Sequence, residues 1–429
     1  MNHSISKEIP IKNLQTNRQS LRGYWNSAMA QKASIAIWRL PNDDTVHFLC
    51  DFLSEPKKGR TDFRSSPPGF VISPFVSKEG NETLFLKANL HVTFSQGQSD
   101  ITISDAVPES FWNSMNETKP NHHPVHYHLN ARPDTEISGK KNHFIQMVQD
   151  GIKAINNGKF DKVVTARTLD VPLSEHFDVL DQFQRMEKAY PDVFVNFFSI
   201  PGRGTWMGAT PELLIESSAE HFRTVSLAGT QPFPEDADLS KAAWNQKEIE
   251  EQAMVSRYII EQFKTVRLRE FVETGPRTVR AGSMIHLKTE YNVDLNKVHF
   301  PELATVMLHM IHPTSAVCGQ PKKPSVEFIL SNEHLKREFY SGFLGPVNMD
   351  GQSCLYVNLR CMQILRTRTV LYAGAGITHD SIPEREWDET ALKCQTLLDV
   401  MNGNSHRDTP VRRRHAGGEN AETNKLKTQ

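Results

Sequence analysis

The sequence predicts an α+β protein built on largely antiparallel sheets, and three observations carry that prediction. Alternation of period two recurs in "FDKVVTARTLDV", "VFVNFFSI", "TWMGATPELLIES" and "HFRTVSLAGTQ", the pattern of strands with one buried face. Two stretches instead place apolar residues at the helical period. One holds Ile249, Ala253, Ser256, Ile260 and Phe263; the other holds Trp387, Ala391, Cys394, Leu398 and Met401. Between these stretches strands and helices do not alternate in the βαβ manner of a parallel sheet.

Taken in order, "KASIAIWRL" and "TVHFLCDFL" read as strands, and "RSSPPGFVISPF" as a Pro/Gly/Ser connection. The polar stretch "NETKPNHHPVHYHLNARPDTEISGKKN" reads as a link, which divides residues 1–135 from residues 136–404. A helix over "NHFIQMVQDGIKAINNG" is expected to end near Gly158. The four alternating runs follow, then the first long helix. "CLYVNLRCMQI" and "TVLYAGAGI" read as two further strands ahead of the final helix, for which Ser381 and Glu384 have the spacing of a capping box. Residues 405–429 are polar and are expected to be disordered.

Composition excludes several classes of function. Lys and Arg number 49 against 50 Asp and Glu, so no basic surplus points to nucleic acid. No apolar run reaches the roughly 18 residues of a membrane span, and "MNHSISKEIPIKNLQ" lacks the apolar core of a secretory signal. Cys50, Cys318, Cys354, Cys361 and Cys394 are odd in number and contain no C-x-x-C pair, which fits reduced thiols better than a disulfide framework or a zinc site. The expectation is a soluble, cytoplasmic enzyme without nucleic-acid or membrane partners.

Candidate chemistry concentrates in a few places. In "SIPEREWDETALKC", Glu386, Glu389 and Lys393 share one helix face, as a solvated stripe or as one wall of a site. Glu248 and Glu251 in "NQKEIEEQAMV" form a second carboxylate pair, and Mg²⁺ characteristically takes one or two protein carboxylates alongside substrate and water. Lys162 in "FDKVVTARTL" is a solvent-facing edge residue or, if buried, a base with a lowered pKa. Glu212 in "GATPELLIE" is an ordinary carboxylate at a strand entry or a general acid with a raised pKa. Arg360 in "YVNLRCMQI" lies on a strand with an apolar opposite face, as a snorkelling residue or a fork for a substrate carboxylate. The histidines of "NHHPVHYHLN" (His122, His123, His126, His128) lack a helical H-x-x-x-H pair and read as part of the link.

The blocks "DKVVTAR", "GATPELLIE", "LAGTQP", "KEIEEQ", "HPTSAVCGQP", "FYSGFLGPV", "NLRCMQI", "YAGAGI" and "EREWDETALKCQTLL" occur in order over residues 140–402. Together they resemble the chorismate-utilising enzymes: isochorismate and salicylate synthases, and the synthase subunits for anthranilate and aminodeoxychorismate. The resemblance implies a large sandwich of two antiparallel sheets with outer helices, to which the N-terminal part contributes. It implies Mg²⁺ on Glu251 and Glu389, with Glu248 and Glu386 as neighbours shaping the site. It implies Lys393 on one substrate carboxylate, Arg360 and the backbone around Gly374 on the other, and Gly229 and His286 beside the substrate. The family commonly carries His after the magnesium-binding Glu; here Gln252 stands there.

Two positions select among members. The resemblance makes Lys162 the base that activates water and Glu212 the acid that protonates a leaving hydroxyl. Anthranilate synthases tend to replace this lysine, so no glutaminase partner is expected. Ala316 occupies a position where isochorismate synthases usually carry Ala and the other members usually carry Thr. The implied activity is conversion of chorismate to isochorismate, with menaquinone synthesis as the preferred destination. A salicylate synthase, a siderophore-pathway isochorismate synthase and a non-catalytic protein that binds a chorismate-like ligand stand as alternatives.

Overall fold

The computed structural model describes residues 19–77, 82–95, 97–104, 107–117, 125–130, 141–233, 237–281 and 284–403. The predicted disordered tail at 405–429, and His122 and His123, lie outside the described residues. The described strands form two antiparallel sheets. The first runs, edge to edge, Gly319–Gln320, Lys162–Pro172, Arg368–Ile377, Cys361–Ile364, Gly204–Thr210, Phe194–Ile200, Ser34–Arg39, Val46–Asp51, Leu90–Ser95 and Gln98–Ile103. The second runs Val272–Ala281, Met284–Asp294, His221–Pro232, Leu213–Ser217, Ser353–Val357, Phe343–Val347, Gly69–Ser73, Leu84–Lys87 and Lys57–Lys58.

The sheets stack face to face over a middle core that includes Trp38, Phe70, Phe198, Trp206, Leu344 and Tyr372. Phe194 of the first sheet and Tyr356 of the second stack with ring centroids 4.2 Å apart. Each aromatic buried there contributes on the order of 1.5–3 kcal/mol through surface removed from water. The helices Gln19–Ala30, Val179–Ala189 and Pro383–Met401 cover the outer face of the first sheet. Gln246–Thr265 and Leu303–Ile311 cover that of the second. The α+β class and the two-sheet sandwich are as predicted.

Several elements differ from the expectation. "RSSPPGFVISPF" contains the strand Gly69–Ser73, buried along its whole length between Phe343–Val347 and Leu84–Lys87. Burial on both faces removes the alternation by which a strand is recognised, and the flanking prolines disguise what remains. "TWMGATPELLIES" is two strands in different sheets, Gly204–Thr210 and Leu213–Ser217, and "CLYVNLRCMQI" is likewise divided into Ser353–Val357 and Cys361–Ile364. These strands pair with one another in both sheets, so a two-stranded ribbon turns the corner of the sandwich. Val357 N donates to Glu212 O (3.0 Å), Ala209 N to Arg360 O (3.1 Å) and the Thr210 hydroxyl to Val357 O (2.7 Å) across the turn. Arg360 thus lies at the corner, not on a strand, with a left-handed φ of 44°. Glu212 occupies the opposing corner.

Both long helices are turned relative to the predicted stripes. Gln246–Thr265 buries Gln252, Val255, Tyr258, Ile259 and Phe263, while Ile249 is exposed. Pro383–Met401 buries Glu386, Thr390, Cys394, Thr396, Leu397 and Val400, while Ala391 is exposed. Polar residues on the inward faces shift the apparent apolar phase. The capping box does not form: Ser381 Oγ accepts from Thr378 N at 3.1 Å, and the helix begins at Pro383, which needs no N–H partner there.

Candidate active site

The corner ribbon, the two long helices and the strands Lys162–Pro172, His221–Pro232 and Arg368–Ile377 enclose a cleft of about 100 Å³. Glu212, Gly229, Glu251, His286 and Ala316 line it. So do Arg360, Gly374, Glu389 and Lys393. A larger cleft of about 790 Å³, lined by Phe75, Leu330, Glu333, Arg337 and Phe339 among others, contains none of the residues predicted from sequence.

Lys162 is the first residue of its strand, with its side chain buried, and Nζ donates to Glu251 Oε1 at 2.7 Å. The reading of a solvent-facing edge lysine is therefore set aside. The ammonium borders a side chamber of about 30 Å³ that shares Glu251 and Gly376 with the main cleft. A Cβ at Gly376 would lie 3.0 Å from Lys162 Cε and 3.1 Å from Glu251 Oε1, so glycine leaves room for this pair. Burial opposes ionisation of Glu251, but the Lys162 ammonium overrides it and holds the carboxyl below the usual range.

Glu212 behaves in the opposite way. Burial pushes its carboxyl up to about 7, against partial offsets from Thr314 and from Lys162 and Lys393. The Thr314 hydroxyl donates to Glu212 Oε1 at 3.4 Å. This places the carboxyl near half-protonation at neutral pH, the range suited to a general acid.

On the corner, Arg360 Nη2 donates to His286 Nε2 at 2.8 Å. An arginine cannot accept, so Nε2 is unprotonated and Nδ1 carries the hydrogen, facing Thr230 Oγ1 (3.0 Å) and Gly229 O (3.3 Å). Burial, then Arg360 and Lys393, holds the imidazole pKa well below its usual value. His286 is a neutral spacer that aims the guanidinium. Lys393 Nζ donates to Glu389 Oε1 and to Gly374 O, both at 2.8 Å. Burial lowers its pKa, but Glu389 more than compensates. Arg360, Lys393 and the backbone at Gly374 therefore meet on one side of the cleft.

Of the carboxylates on the two helices, Glu251 and Glu389 form an acidic wall on the cleft, and Glu248 and Glu386 do not line it. Gly229 sits at a bulge in the His221–Pro232 strand, φ 69°, where a Cβ would lie 3.1 Å from Glu248 Cβ. This close approach presses the Gln246–Thr265 helix onto the sheet. Gln252 anchors the same helix, donating to the Ser226 hydroxyl (2.8 Å) and Thr289 Oγ1 (3.1 Å). Glu386 is buried, and Lys247 Nζ donates to its Oε1 at 3.0 Å. Burial and the like charge of Glu389 raise its pKa, with Lys247 as a partial offset. Glu248 Oε2 is buried without a hydrogen-bond partner, whereas a side-chain hydrogen bond from Ser381 further offsets the rise at Glu386. His126 and His128 take no part: the His126 carbonyl accepts from Trp25 Nε1 (2.8 Å), and His128 Nε2 faces Ala33 O (2.9 Å).

The family described as chorismate binding enzyme matches residues 6–402 of this sequence. The chain belongs to that family. This family member is 28% identical over 263 residues to isochorismate synthase EntC of Escherichia coli (strain K12), covering 60% of this chain and 66% of that protein. It is 27% identical over 265 residues to isochorismate synthase MenF of the same strain, covering 61% of this chain and 60% of that protein. It is also 26% identical over 270 residues to anthranilate synthase component 1 of Methanothermobacter thermautotrophicus, covering 60% of this chain and 56% of that protein. The matches thus span between about half and two thirds of these relatives. The fold is similar to the solved structure of the menaquinone-specific isochorismate synthase MenF of Escherichia coli, with a TM-score of 0.69 at 22% identity, over 88% of this chain and 91% of that one. Anthranilate synthase component I of Streptococcus pneumoniae TIGR4 superposes with a TM-score of 0.60 at 20% identity, over 85% of this chain and 89% of that one.

Sequence reasoning missed four residues of this family member's site: Lys247, Thr314, Gly376 and Tyr340, the last of which lines the cleft. Lys247 adjoins Glu248 in a block already singled out, and Gly376 closes "AGAG". Thr314 and Tyr340 carried no signal apart from their blocks, because their roles depend on which chain segments meet.

Proposed function

We propose that this chain is an isochorismate synthase. The observation that carries the reading is a buried carboxyl on the cleft, pushed up to about 7, with a buried lysine on the side chamber that adjoins it through Glu251 and Gly376. Water adds at C2 of chorismate, the ring double bonds shift, and the C4 hydroxyl leaves as water. Lys162, as the neutral amine left once its ammonium has passed a proton to solvent, accepts the proton of the attacking water, and Glu212 delivers one to the departing oxygen. One water enters and one leaves, so the acid and base end each turnover needing to exchange a single proton.

Chorismate carries two carboxylates, and the cleft offers Lys393 to one and the Arg360 guanidinium, aimed by His286, to the other. The acidic wall repels both unless its charge is compensated. Among the described residues no group of three or more His, Cys, Asp or Glu is arranged to hold a metal. A hard cation drawing its remaining oxygens from substrate and water needs no such group, and the unpartnered Glu248 oxygen fits one nearby. Glu251 and Glu389 would hold Mg²⁺, flanked by Glu248 and Glu386. Its chemistry when bound is neutralisation of a ring carboxylate. Ala316 on the cleft wall supports water addition as the final step, with no added hydroxyl beside the ring.

The test is to incubate purified protein with chorismate and Mg²⁺ and to separate the products. Isochorismate alone is expected. Salicylate plus pyruvate, anthranilate on adding ammonia, or unchanged chorismate would each overturn the reading in favour of another member or a non-catalytic binder.

A further inference from the structure

The strand that begins with Lys162 lies one position from the edge of its sheet, and its outer neighbour, Gly319–Gln320, is only two residues long. Gly319 and Gln320 pair with Val163 and Lys162, and Val164 N donates to Cys318 O at 3.0 Å. Past that point no described strand covers the next edge groups, Val164 O and Ala166 N. Buried backbone groups of this kind require partners.

Two side chains supply them. Arg337 Nη2 donates to Val164 O at 2.7 Å, and Glu333 Oε1 accepts from Ala166 N at 2.8 Å. A donor and an acceptor set beside successive edge groups reproduce what a further strand would offer. The pair is buried, spaced i, i+4, and joined by Arg337 Nε to Glu333 Oε2 at 2.8 Å and by a second contact from Nη2 to Oε1. The remaining arm, Nη1, donates to Val317 O at 2.9 Å. Phe75 packs its ring against the guanidinium, with Cζ 4.2 Å from the ring centroid.

The groups held by this fork belong to both arms of the proposed acid–base pair. Val164 is two residues from Lys162, and side chains two apart share a face of a strand. Val317 adjoins Ala316 and is three residues from Thr314, whose hydroxyl touches Glu212. Val164 and Val317 both line the cleft. Ion pairing alone explains the arrangement poorly, because a buried pair loses in desolvation much of what it gains by attraction. Its backbone targets are the informative part.

We propose that Arg337 and Glu333 are positioning residues, a two-side-chain substitute for the missing strand that fixes the Lys162 strand against the Ala316 loop and so sets the spacing of Lys162 and Glu212 across the cleft. This rests on the acid–base reading given above.

The test is Arg337→Lys, which keeps the charge but has no fork to span Glu333, Val164 O and Val317 O. It is compared with Glu333→Gln, which keeps an acceptor for Ala166 N. Amide hydrogen exchange without substrate is read in peptides covering residues 162–168, 314–320 and, as a control, 194–200. In Arg337→Lys the first two exchange at least tenfold faster while the control is unchanged. Its kcat falls by roughly 10- to 100-fold, the scale expected when reacting groups are misplaced by about 1 Å, with KM for chorismate within about threefold. Glu333→Gln shows the same pattern to a lesser degree, and it carries the test if Arg337→Lys does not fold. Exchange that rises uniformly along the chain, local exchange that stays at wild type, or faster local exchange with unchanged kcat would each overturn the proposal. Because exchange is read without substrate, it fails separately from the functional reading, which fails if the wild-type protein leaves chorismate unconverted.

Discussion

Replacing Glu212 by Gln separates the proposed catalytic role of this carboxyl from its cost to the fold. Its pKa moves from 4.5 to about 7, chiefly by burial. At about 1.36 kcal/mol per unit, that shift amounts to roughly 3 kcal/mol of stability missing when the carboxyl is ionised. The sign follows from the direction. A folded pKa raised above the unfolded value binds more protons in the native state, so stability is full below about pH 4.5 and declines as pH rises toward 7. Glu212→Gln stays neutral and escapes that penalty, so at pH 8 its denaturation midpoint rises above wild type, and near pH 4 the two converge. A general acid contributes about 10²- to 10⁴-fold, so kcat at neutral pH falls by at least about 100-fold. In the wild type, kcat/KM falls about tenfold per pH unit above about 7 as the acid of the free enzyme deprotonates. Equilibrium denaturation at the two pH values and a kcat/KM–pH profile from product separation check all of this. If the Gln variant retains a tenth of the activity, or is no more stable than wild type at pH 8, the account of Glu212 as a buried, half-protonated acid is wrong.

Four further outcomes are expected. Lys162→Ala abolishes turnover and deprives Glu251 of its cation, so near-normal kcat would remove lysine from the base role. Glu251→Ala and Glu389→Ala each lose Mg²⁺-dependent activity and weaken Mg²⁺ binding measured calorimetrically with a chorismate analogue present; recovery at ordinary Mg²⁺ concentration would argue against ligation. Lys393→Ala raises KM for chorismate by roughly tenfold or more through loss of a charged partner, and an unchanged KM would place the lysine elsewhere than on substrate. Gly376→Ala puts a methyl 3.0 Å from Lys162 Cε and is expected to lower kcat at least about tenfold with the fold retained; wild-type kcat would mean that the ion pair has room to give.

How much of this was legible in the residues depended on whether a feature is local. The runs around Phe194–Ile200, Lys162–Pro172 and Arg368–Ile377 announced themselves because β-branched and aromatic residues recur over a strand's length, although they too are buried along most of it. Gly69–Ser73 did not, because its five buried residues lie between prolines that read as a connection. The carboxylates of the two long helices were visible from their spacing. The helix phases were misread because the buried residues Gln252, Glu386 and Thr390 resemble surface positions in composition.

Order and type along the chain therefore settled the class of fold, the set of candidate side chains and the family whose blocks they match. Which of those side chains meet was set by folding. The ribbon that changes sheets at Glu212 and Arg360, the ion pair between Lys162 and Glu251 across 89 residues, and the Arg337–Glu333 plug on a sheet edge arise where distant segments touch. Burial and charge at those meetings divide two glutamates of similar intrinsic acidity into one raised to about 7 and one lowered. Linear spacing carries no record of the dielectric or the neighbour that a group acquires on folding.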